Sequence, residues 1–348
     1  MSTTDLTIVV PAYNAAATIR RALDSLRAQT WQDFEIVVVD DGSADNTAHI
    51  VTTEYPEVRC IRQDNAGPCV ARNRGAHEAR GEFLAFLDAD DEWAPEKAQR
   101  QMEVFAQRPD VAVCGTNGII IHGRRVYPFN NPHRPRLVEP NLKDLLWGVH
   151  PVLASLMLRR ELFVAVGGYD PGVKRWEDQD LFYRLAGLGH KVVELNEPLY
   201  IIHRTQGSRV THQAAQRVEW SVRTLLRWDP DGAPPGCASP LDRATYSYLL
   251  GDRACLAAAD CCREGAHEKA REILGIMDQA LERPAAVHRG LRALANAWWP
   301  AFTVAGTAWR TWRTIERGYV LWGGLLGALR QVWRRYLRRT DGSPQRWH

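Results

Sequence analysis

The 348-residue sequence predicts an α/β fold, in which a mostly parallel β-sheet is flanked by helices and followed by a helical C-terminal extension. Over the first third, short apolar runs alternate with segments whose apolar residues recur at helical spacing. Strands that alternate with crossover helices are typical of parallel sheets covered on both faces. Strand-like patterns stop near residue 213, and helical patterns continue from there.

Apolar periodicity predicts each element in turn. The first apolar run ends at Pro11, and Ile19, Ala22 and Leu26 then fall on one face of a helix. The same reasoning predicts strands at 6–10, 34–39, 58–61, 83–87, 111–114 and 198–202. It predicts helices at 16–29, 45–54, 68–79, 95–107, 244–264 and 266–281.

The composition indicates an ordered protein of a reducing compartment. With 45% hydrophobic residues, the chain can bury one large core or two domains. The charges of its 44 basic and 41 acidic residues nearly cancel, so the net charge of +3 does not indicate a nucleic-acid partner. The spacing of the seven cysteines matches no disulfide framework, which favours free thiols. No signal-peptide pattern precedes Thr7, and we expect a cytoplasmic protein.

Polar residues follow four of the predicted strands. They include Tyr13 after the first, Asp40 and Asp41 after the second, and Asn65 after the third. Ligands of parallel α/β sheets bind at the carboxyl ends of the strands. The sequence contains neither the glycine fingerprint of dinucleotide-binding folds nor a P-loop. We therefore expect phosphate to be bound by a metal ion and side chains.

An acidic run closes the fourth predicted strand. Asp88, Asp90 and Asp91 would repel one another without a cation, and clustered carboxylates suit hard ions such as Mg²⁺ or Mn²⁺. A metal there would serve a phosphate-bearing substrate. The alternative is a solvated turn before the helix that begins near Pro95, where acids favour the positive helix end.

Five segments, in order, resemble the family 2 glycosyltransferases, which are GT-A enzymes that use nucleotide sugars. The segments are Val9-Val10-Pro11-Ala12-Tyr13-Asn14, Val38-Val39-Asp40-Asp41-Gly42-Ser43, Ala71-Arg72-Asn73-x-Gly75, Phe86-Leu87-Asp88-Ala89-Asp90-Asp91, and Gly167-Gly168-Tyr169-Asp170 followed by Glu177-Asp178-Gln179-Asp180-Leu181. Together they span residues 6 to about 212 with family-like spacing. The resemblance implies a Rossmann-like GT-A sheet and transfer of a sugar.

The resemblance implies a nucleotide site near the first two strands. Asp41 would accept a hydrogen bond from the base, Tyr13 would stack on it beside Pro11, and Asp40 would lie nearer the ribose. An Asp-Gly turn is the alternative for the two acids. Arg72 would add positive charge near the nucleotide or would lie on the outer face of its helix.

The resemblance also implies a metal site. Asp88-Ala89-Asp90 is similar to the DxD motif, with Asp90 as the direct ligand and Asp88 near the ribose or a metal-bound water. The ion, Mg²⁺ or Mn²⁺, would neutralise the departing diphosphate. His203 would contact phosphate or metal, or would be structural at its strand end.

Asp178 is the catalytic base that the resemblance implies. Transfer with inversion needs one carboxylate to deprotonate the acceptor hydroxyl, in contrast to the two carboxylates of many glycosidases. Glu177 and Asp180 would help bind the acceptor or would only stabilise the helix start. Trp176 would stack on a sugar or pack in the core.

The C-terminal third has a different composition. We divide the chain into a nucleotide-sugar half (1–115), an acceptor half (116–212), a helical appendage (213–297) and a Trp/Arg-rich tail (298–348). The tail carries seven of the 13 tryptophans, and residues 310–346 contain nine arginines against two acids. An apolar helical stripe from Trp322 to Leu337 beside arginines is typical of a helix at a membrane interface. Packing on the protein itself or on a partner subunit is the alternative.

The sequence therefore predicts a metal-dependent, inverting glycosyltransferase that is peripheral on the inner face of the cell membrane. A UDP-sugar is the favoured donor, and the acceptor is a glycan or a lipid-linked saccharide of cell-envelope polysaccharide assembly. One alternative is transfer to a polyprenyl phosphate, which needs no strong base. The other is a non-catalytic membrane scaffold that binds nucleotide sugars.

Overall fold

The computed structural model describes residues 5–130, 132–133, 135–140, 152–173, 177–204 and 267–280, with single positions at 222, 225–226, 246–247, 250, 254, 258 and 261. Its strands are β1 (Leu6–Ala12), β2 (Phe34–Asp40), β3 (Arg59–Arg62), β4 (Phe83–Phe86), β5 (Glu92–Trp93), β6 (Val111–His122), β7 (Arg125–Pro128), β8 (Leu137–Val138), β9 (Val152–Arg159) and β10 (Lys191–Arg204). Its helices are α1 (Ile19–Arg27), α2 (Thr47–Glu54), α3 (Pro68–His77), α4 (Lys97–Gln107), α5 (Arg160–Ala165), α6 (Glu177–Gly187) and α7 (His267–Ala280).

The described strands form one mixed sheet in the order β3-β2-β1-β4-β9-β6-β10-β5, with β7 beside β6 and β8 beside β10. Strands β1 to β4 pair in parallel, and β6 pairs in parallel with β10. The unpredicted strand β9 lies antiparallel between β4 and β6. The α/β class and the first four strands are confirmed. The predicted strand at 111–114 was too short, since β6 continues to His122 and passes through the proposed boundary at 115/116.

Apolar side chains cover both faces of the sheet. In α1, Ile19, Ala22 and Leu26 are buried against one face, as their spacing predicted. On the opposite face, Leu181 of α6 and Ile273 of α7 belong to a second buried cluster. Helix α7 also confirms the helix predicted at 266–281. The core therefore continues from the sheet into the C-terminal third.

Most of the predicted appendage and the whole tail at 298–348 lie outside the described residues. The membrane assignment of that tail stays a prediction. No helix in the described part of the chain is long and apolar enough to cross a bilayer.

Candidate active site

A cleft of about 580 Å³ opens at the carboxyl edge of the sheet. Segments after β1, β2, β3 and β4, the start of α3 and the end of β10 form its walls. Its lining includes Pro11, Tyr13, Asp41, Asn65, Arg72, Ala89, Asp90 and His203. The polar strand ends therefore meet at one site, as the parallel topology predicted.

Asp41 borders this cleft and fixes the loop after β3. Its Oδ1 accepts hydrogen bonds from Gln63 Nε2 at 2.7 Å and Ala66 N at 2.9 Å, and its Oδ2 accepts one from Gly67 N at 2.9 Å. The chain turns at Gly42, whose φ of +75° favours glycine. Asp41 therefore builds one wall of the cleft, a contribution that the base-binding prediction did not include.

Replacing Asp41 should destabilise the fold. Asp41→Ala leaves two backbone N–H groups of the loop without their acceptor, and we expect a loss of about 2–4 kcal/mol in the free energy of unfolding. Urea denaturation followed by circular dichroism measures it. Asp64→Ala removes an exposed carboxylate from the same loop and should change stability by less than about 0.5 kcal/mol. Equal stability of the two variants would contradict this role for Asp41.

Asp40 lies behind the cleft. Its side chain is fully buried, its Oδ1 accepts a hydrogen bond from Ser43 N at 3.3 Å, and its Oδ2 lies 3.3 Å from Arg62 Nε. This geometry matches the turn interpretation for Asp40, because the carboxylate accepts a backbone hydrogen bond within the turn that follows β2. The ribose contact stays a prediction without support from the position of the side chain.

Arg72 connects the two acidic parts of the site. It is buried on α3 and borders the cleft, so it does not lie on the outer face of its helix. Its Nη2 donates to Asp88 Oδ1 at 2.8 Å, and its Nη1 donates to Glu177 Oε1 at 3.3 Å. The guanidinium also lies 5.2 Å from the ring centre of Tyr169. The Arg72 guanidinium therefore connects the end of β4 to the start of α6.

Asp178 lies beside this junction and, like Glu177, does not border the described cleft. Loss of hydration raises the pKa of Asp178 to about 6, and the charges of Glu177 and Asp88 act in the same direction. Arg72 and a hydrogen bond with the Tyr169 hydroxyl oppose that rise. A carboxyl group with this pKa is mostly ionised at neutral pH and can still take up a proton, which is what a general base requires.

The acidic turn after β4 concentrates negative charge at the cleft. Burial raises the pKa of Asp91 to about 8, and the nearby charges of Asp88 and Asp90 add to the effect. Loss of hydration and the charge of Asp88 also raise the pKa of Asp90. His203 N donates to Asp91 Oδ1 at 3.0 Å, so the turn is tied to the end of β10. A bound cation would relieve the repulsion among these carboxylates.

Asp88 and Asp90 fit a hard divalent cation. Both border the cleft and offer carboxylate oxygens. Within the described ranges, no group of three or more Asp, Glu, His or Cys side chains is gathered closely enough to hold an ion alone. Mg²⁺ usually binds through one or two carboxylates, several waters and substrate phosphates. The donor set therefore suits an ion that arrives with a phosphate-bearing ligand.

Arg21 is a cleft residue that the sequence analysis missed. It lies on α1, and its Nη2 donates to the backbone carbonyl of Asp90. Its Nε lies 3.4 Å from Glu92 Oε1, and Glu92 in turn contacts His203 Nε2. The available signal was the helical spacing of Thr18 and Arg21, which both line the cleft. Arg21 and His203 thus hold the acidic turn from two sides.

The remaining predicted residues lie in different environments. Asp180 is buried and pairs with Arg184 at 2.9 Å, and it does not border the described cleft. Tyr13 is 51% exposed at the cleft rim, a position in which a ring can meet a ligand. Trp176 lies outside the described residues, so its proposed sugar contact stays a prediction.

The mixed sheet and the acidic cleft at its carboxyl edge define a GT-A fold. Residues 7–167 match the family model described as Glycosyl transferase family 2. Over that segment the chain matches the family 2 glycosyltransferases, which confirms the resemblance of the five segments.

Three relatives illustrate the similarity. An uncharacterized glycosyltransferase of Nostoc sp. (strain PCC 7120) is 36% identical over 209 residues, which are 57% of this chain and 65% of that protein. The succinoglycan biosynthesis protein ExoO of Rhizobium meliloti is 41% identical, covering 59% and 62% of the two chains. The amylovoran biosynthesis glycosyltransferase AmsB of Erwinia amylovora is 29% identical, covering 66% and 77%. The chain spans slightly less than two thirds of the first two relatives.

Solved structures share the fold at low identity. S. aureus TarS 1–349 in complex with UDP-GlcNAc has a TM-score of 0.67 and 20% identity, covering 88% of this chain and 92% of that one. The mannosyltransferase PcManGT of Pyrobaculum calidifontis, in complex with GDP-Man and Mn²⁺, has a TM-score of 0.52 and 20% identity, covering 90% and 87%.

Proposed function

We propose that this protein transfers a sugar, with inversion, from a nucleotide diphosphate sugar to a glycan or lipid-linked saccharide. The observation that carries the proposal is the Arg72 bridge. Its guanidinium contacts Asp88 on one side and Glu177, next to Asp178, on the other. A donor held at Asp88 and an acceptor activated by Asp178 would then meet at Arg72, on the border of the cleft, as a displacement reaction requires.

The nucleotide would bind between β1 and α3. Tyr13 offers an exposed ring for stacking, and Asp41 Oδ2, which accepts one hydrogen bond, has one lone pair left for the base. UDP-GlcNAc bound to TarS, which shares this fold, supports a UDP-sugar as the first donor to test.

The diphosphate would lie near the acidic turn and Arg72. Asp88 and Asp90 would hold Mg²⁺ or Mn²⁺, and that ion would supply charge neutralisation for the leaving nucleotide. Arg72 and Arg21 border the same space and bring two fixed positive charges toward the phosphates. Mn²⁺ in the PcManGT complex supports a divalent metal.

Asp178 would act as the base. As the acceptor oxygen forms its bond to the anomeric carbon, Asp178 takes the hydroxyl proton and the bond to the diphosphate oxygen breaks. Attack from the face opposite the leaving group inverts the anomeric configuration. Glu177, fixed by Arg72, would keep the guanidinium oriented between the two acids.

The relatives and the composition of the tail support a biological setting for this reaction. ExoO and AmsB are named for succinoglycan and amylovoran biosynthesis, which supports a cell-envelope polysaccharide as the product. The Trp/Arg-rich segment 298–348 would hold the enzyme on the inner face of the cell membrane.

A donor panel followed by proton NMR tests the proposed reaction. UDP-, GDP- and dTDP-sugars with α-anomeric linkages would be incubated with the purified chain, Mn²⁺ and a mixed glycan extract as acceptor. We expect turnover of one donor class, with a product of β configuration. Retention of configuration would contradict the single-base mechanism, and a protein that binds nucleotide without turning over any donor would favour the scaffold alternative.

Arg21 should matter for donor use without being needed for folding. We expect Arg21→Ala to raise the KM for the donor about tenfold or more, because the acidic turn loses a charged contact to the Asp90 carbonyl. Arg21→Lys should recover part of the loss. Arg20→Ala, which removes the adjacent exposed arginine that pairs with Glu54, serves as the control and should leave donor kinetics unchanged. Identical kinetics for Arg21→Ala and Arg20→Ala would remove Arg21 from the site.

A further inference from the structure

The sheet extends beyond the cleft as a three-stranded tip. Strand β6 continues past the cleft and turns at Gly123 into β7, while β10 runs beside it to its last residue. In this extension His122 pairs with Arg125 on β7 and with Arg204 on β10. Directly opposed residues project from the same face, so three basic side chains form one row across the strands.

The strand segments that form the tip carry basic residues and no acidic ones. We call His122, Arg124, Arg125 and Arg204 the basic tip. Residues 119–130 and 198–204 contain no Asp or Glu. Across the described ranges, Arg124, Arg125 and Arg204 form no ion pair with a carboxylate. An exposed surface of this kind favours a polyanionic partner.

Apolar side chains adjoin the basic tip. Val126 is 59% exposed and Tyr127 is 38% exposed, although both lie in a strand. Tyr127 opposes Ile120, which opposes Ile202, so an aromatic and aliphatic row follows the basic row on the same face. Arginines next to an exposed tyrosine and aliphatic groups are the combination that binds at a membrane interface, where rings lie at headgroup level and cations meet anionic lipids.

We propose that the basic tip docks on the headgroups of an anionic bilayer. The contact is built into the sheet itself and is distinct from the tail at 298–348. Strands β6 and β10 run parallel to β4, so the tip projects from the edge that carries the acidic turn. His203, next to Arg204, lines the cleft. A tip resting on lipid headgroups would therefore bring the cleft close to the membrane surface, where a lipid-linked acceptor is held.

Hydrogen–deuterium exchange of the 348-residue chain tests this proposal directly. The protein would be incubated with vesicles of phosphatidylcholine, alone or mixed with phosphatidylglycerol. We expect the anionic vesicles to slow exchange of the peptide 119–128, and added salt to reverse the effect. The peptide 160–166 is the internal control, since it contains Val164 with a matching 60% exposure. The arginines around its start, Arg159 and Arg160, are held by Glu82 and by the Gly81 carbonyl. The readout requires no turnover and is independent of the donor.

A charge-reversal pair gives the second readout. Arg124→Glu combined with Arg125→Glu should abolish protection of 119–128 and weaken vesicle binding about tenfold or more, because each arginine near an anionic surface contributes separately. Arg74→Glu combined with Arg80→Glu changes the same net charge near the opposite edge of the sheet and should leave the protection of 119–128 intact.

Three outcomes would overturn the proposal. One is vesicle binding by the wild-type chain without protection of 119–128, which would leave the membrane contact to other residues. Another is protection of 119–128 by soluble dextran sulfate and not by vesicles, which would assign the tip to an anionic glycan. The third is equal loss of protection in both charge-reversal pairs, which would show that the protection of 119–128 depends on the net charge of the protein and not on the basic tip.

Discussion

Asp178→Asn should lower kcat for sugar transfer by about 10²–10⁴-fold while the dissociation constant of the nucleotide stays unchanged. Asparagine preserves the size of the side chain and its contact with the Tyr169 hydroxyl but accepts no proton. The proposed donor contacts lie on the Asp88 side of Arg72, so we expect nucleotide binding not to depend on the base. Single-turnover kinetics and calorimetry on the same protein preparation measure the two quantities.

Glu177→Gln is the matched control for Asp178→Asn. Glu177 is the adjacent acid and its contact is to Arg72, so we expect a smaller loss, partly in donor binding. A mild effect of Asp178→Asn would contradict the proposed base and would favour a polyprenyl phosphate acceptor, whose ionised oxygen needs no deprotonation.

The pH dependence gives an independent check on Asp178. Because its pKa is raised to about 6, the carboxyl group is protonated below that pH and cannot act as a base. We expect kcat/KM to rise with pH through about 6 and then to level off. In Asp178→Asn the rise of kcat/KM near pH 6 should be missing from the pH profile. If that rise persisted in the variant, it would belong to the ionisation of another group.

Asp90→Ala should have the second large effect. We expect kcat/KM for the donor to fall at least about 100-fold, since metal-based charge stabilisation at a leaving phosphate contributes several kcal/mol. The loss should not be recovered by raising Mn²⁺, because the variant lacks a proposed ligand. Titration of activity against Mn²⁺ in the two proteins measures it.

Asp33→Ala removes an exposed carboxylate near the start of β2, at the opposite edge of the sheet, and is the control for Asp90→Ala. It should match the wild-type protein in every kinetic parameter. Full activity of Asp90→Ala in the presence of a chelator would contradict the metal site.

The first half of the sheet could be predicted because its strands and helices follow local periodicity. The buried face of α1 and the apolar runs of β1, β2 and β4 are each visible in a short window of sequence. Strand β9 was missed because its partners β4 and β6 are distant in the sequence, and an apolar run alone does not reveal its pairing. The full length of β6 was missed for a similar reason, since its second half is specified by β7 and β10.

The site was predictable where a motif carried the chemistry. The acids after β4 and the start of α6 could be named from sequence, and both meet at Arg72. The contact between Arg21 and the Asp90 carbonyl could not be predicted from the sequence, because it joins two elements through a backbone atom that has no sequence signature. Adjacent acids also differ in their position relative to the cleft: Asp41 borders it, whereas Asp40 is buried behind it. Strand alternation separates such neighbours, and only the fold decides which one faces the ligand.

Calorimetric titration of the 348-residue chain with UDP, GDP and dTDP tests whether the cleft binds a nucleotide with the help of a divalent metal. Each nucleotide would be titrated in the presence of Mn²⁺ and again with a chelator, using the wild-type protein and Asp90→Ala. We expect metal-dependent binding of one nucleotide to the wild-type protein, and loss of the metal dependence in Asp90→Ala. Absence of binding for all three nucleotides, or equal binding with chelator and with Mn²⁺, would contradict this expectation.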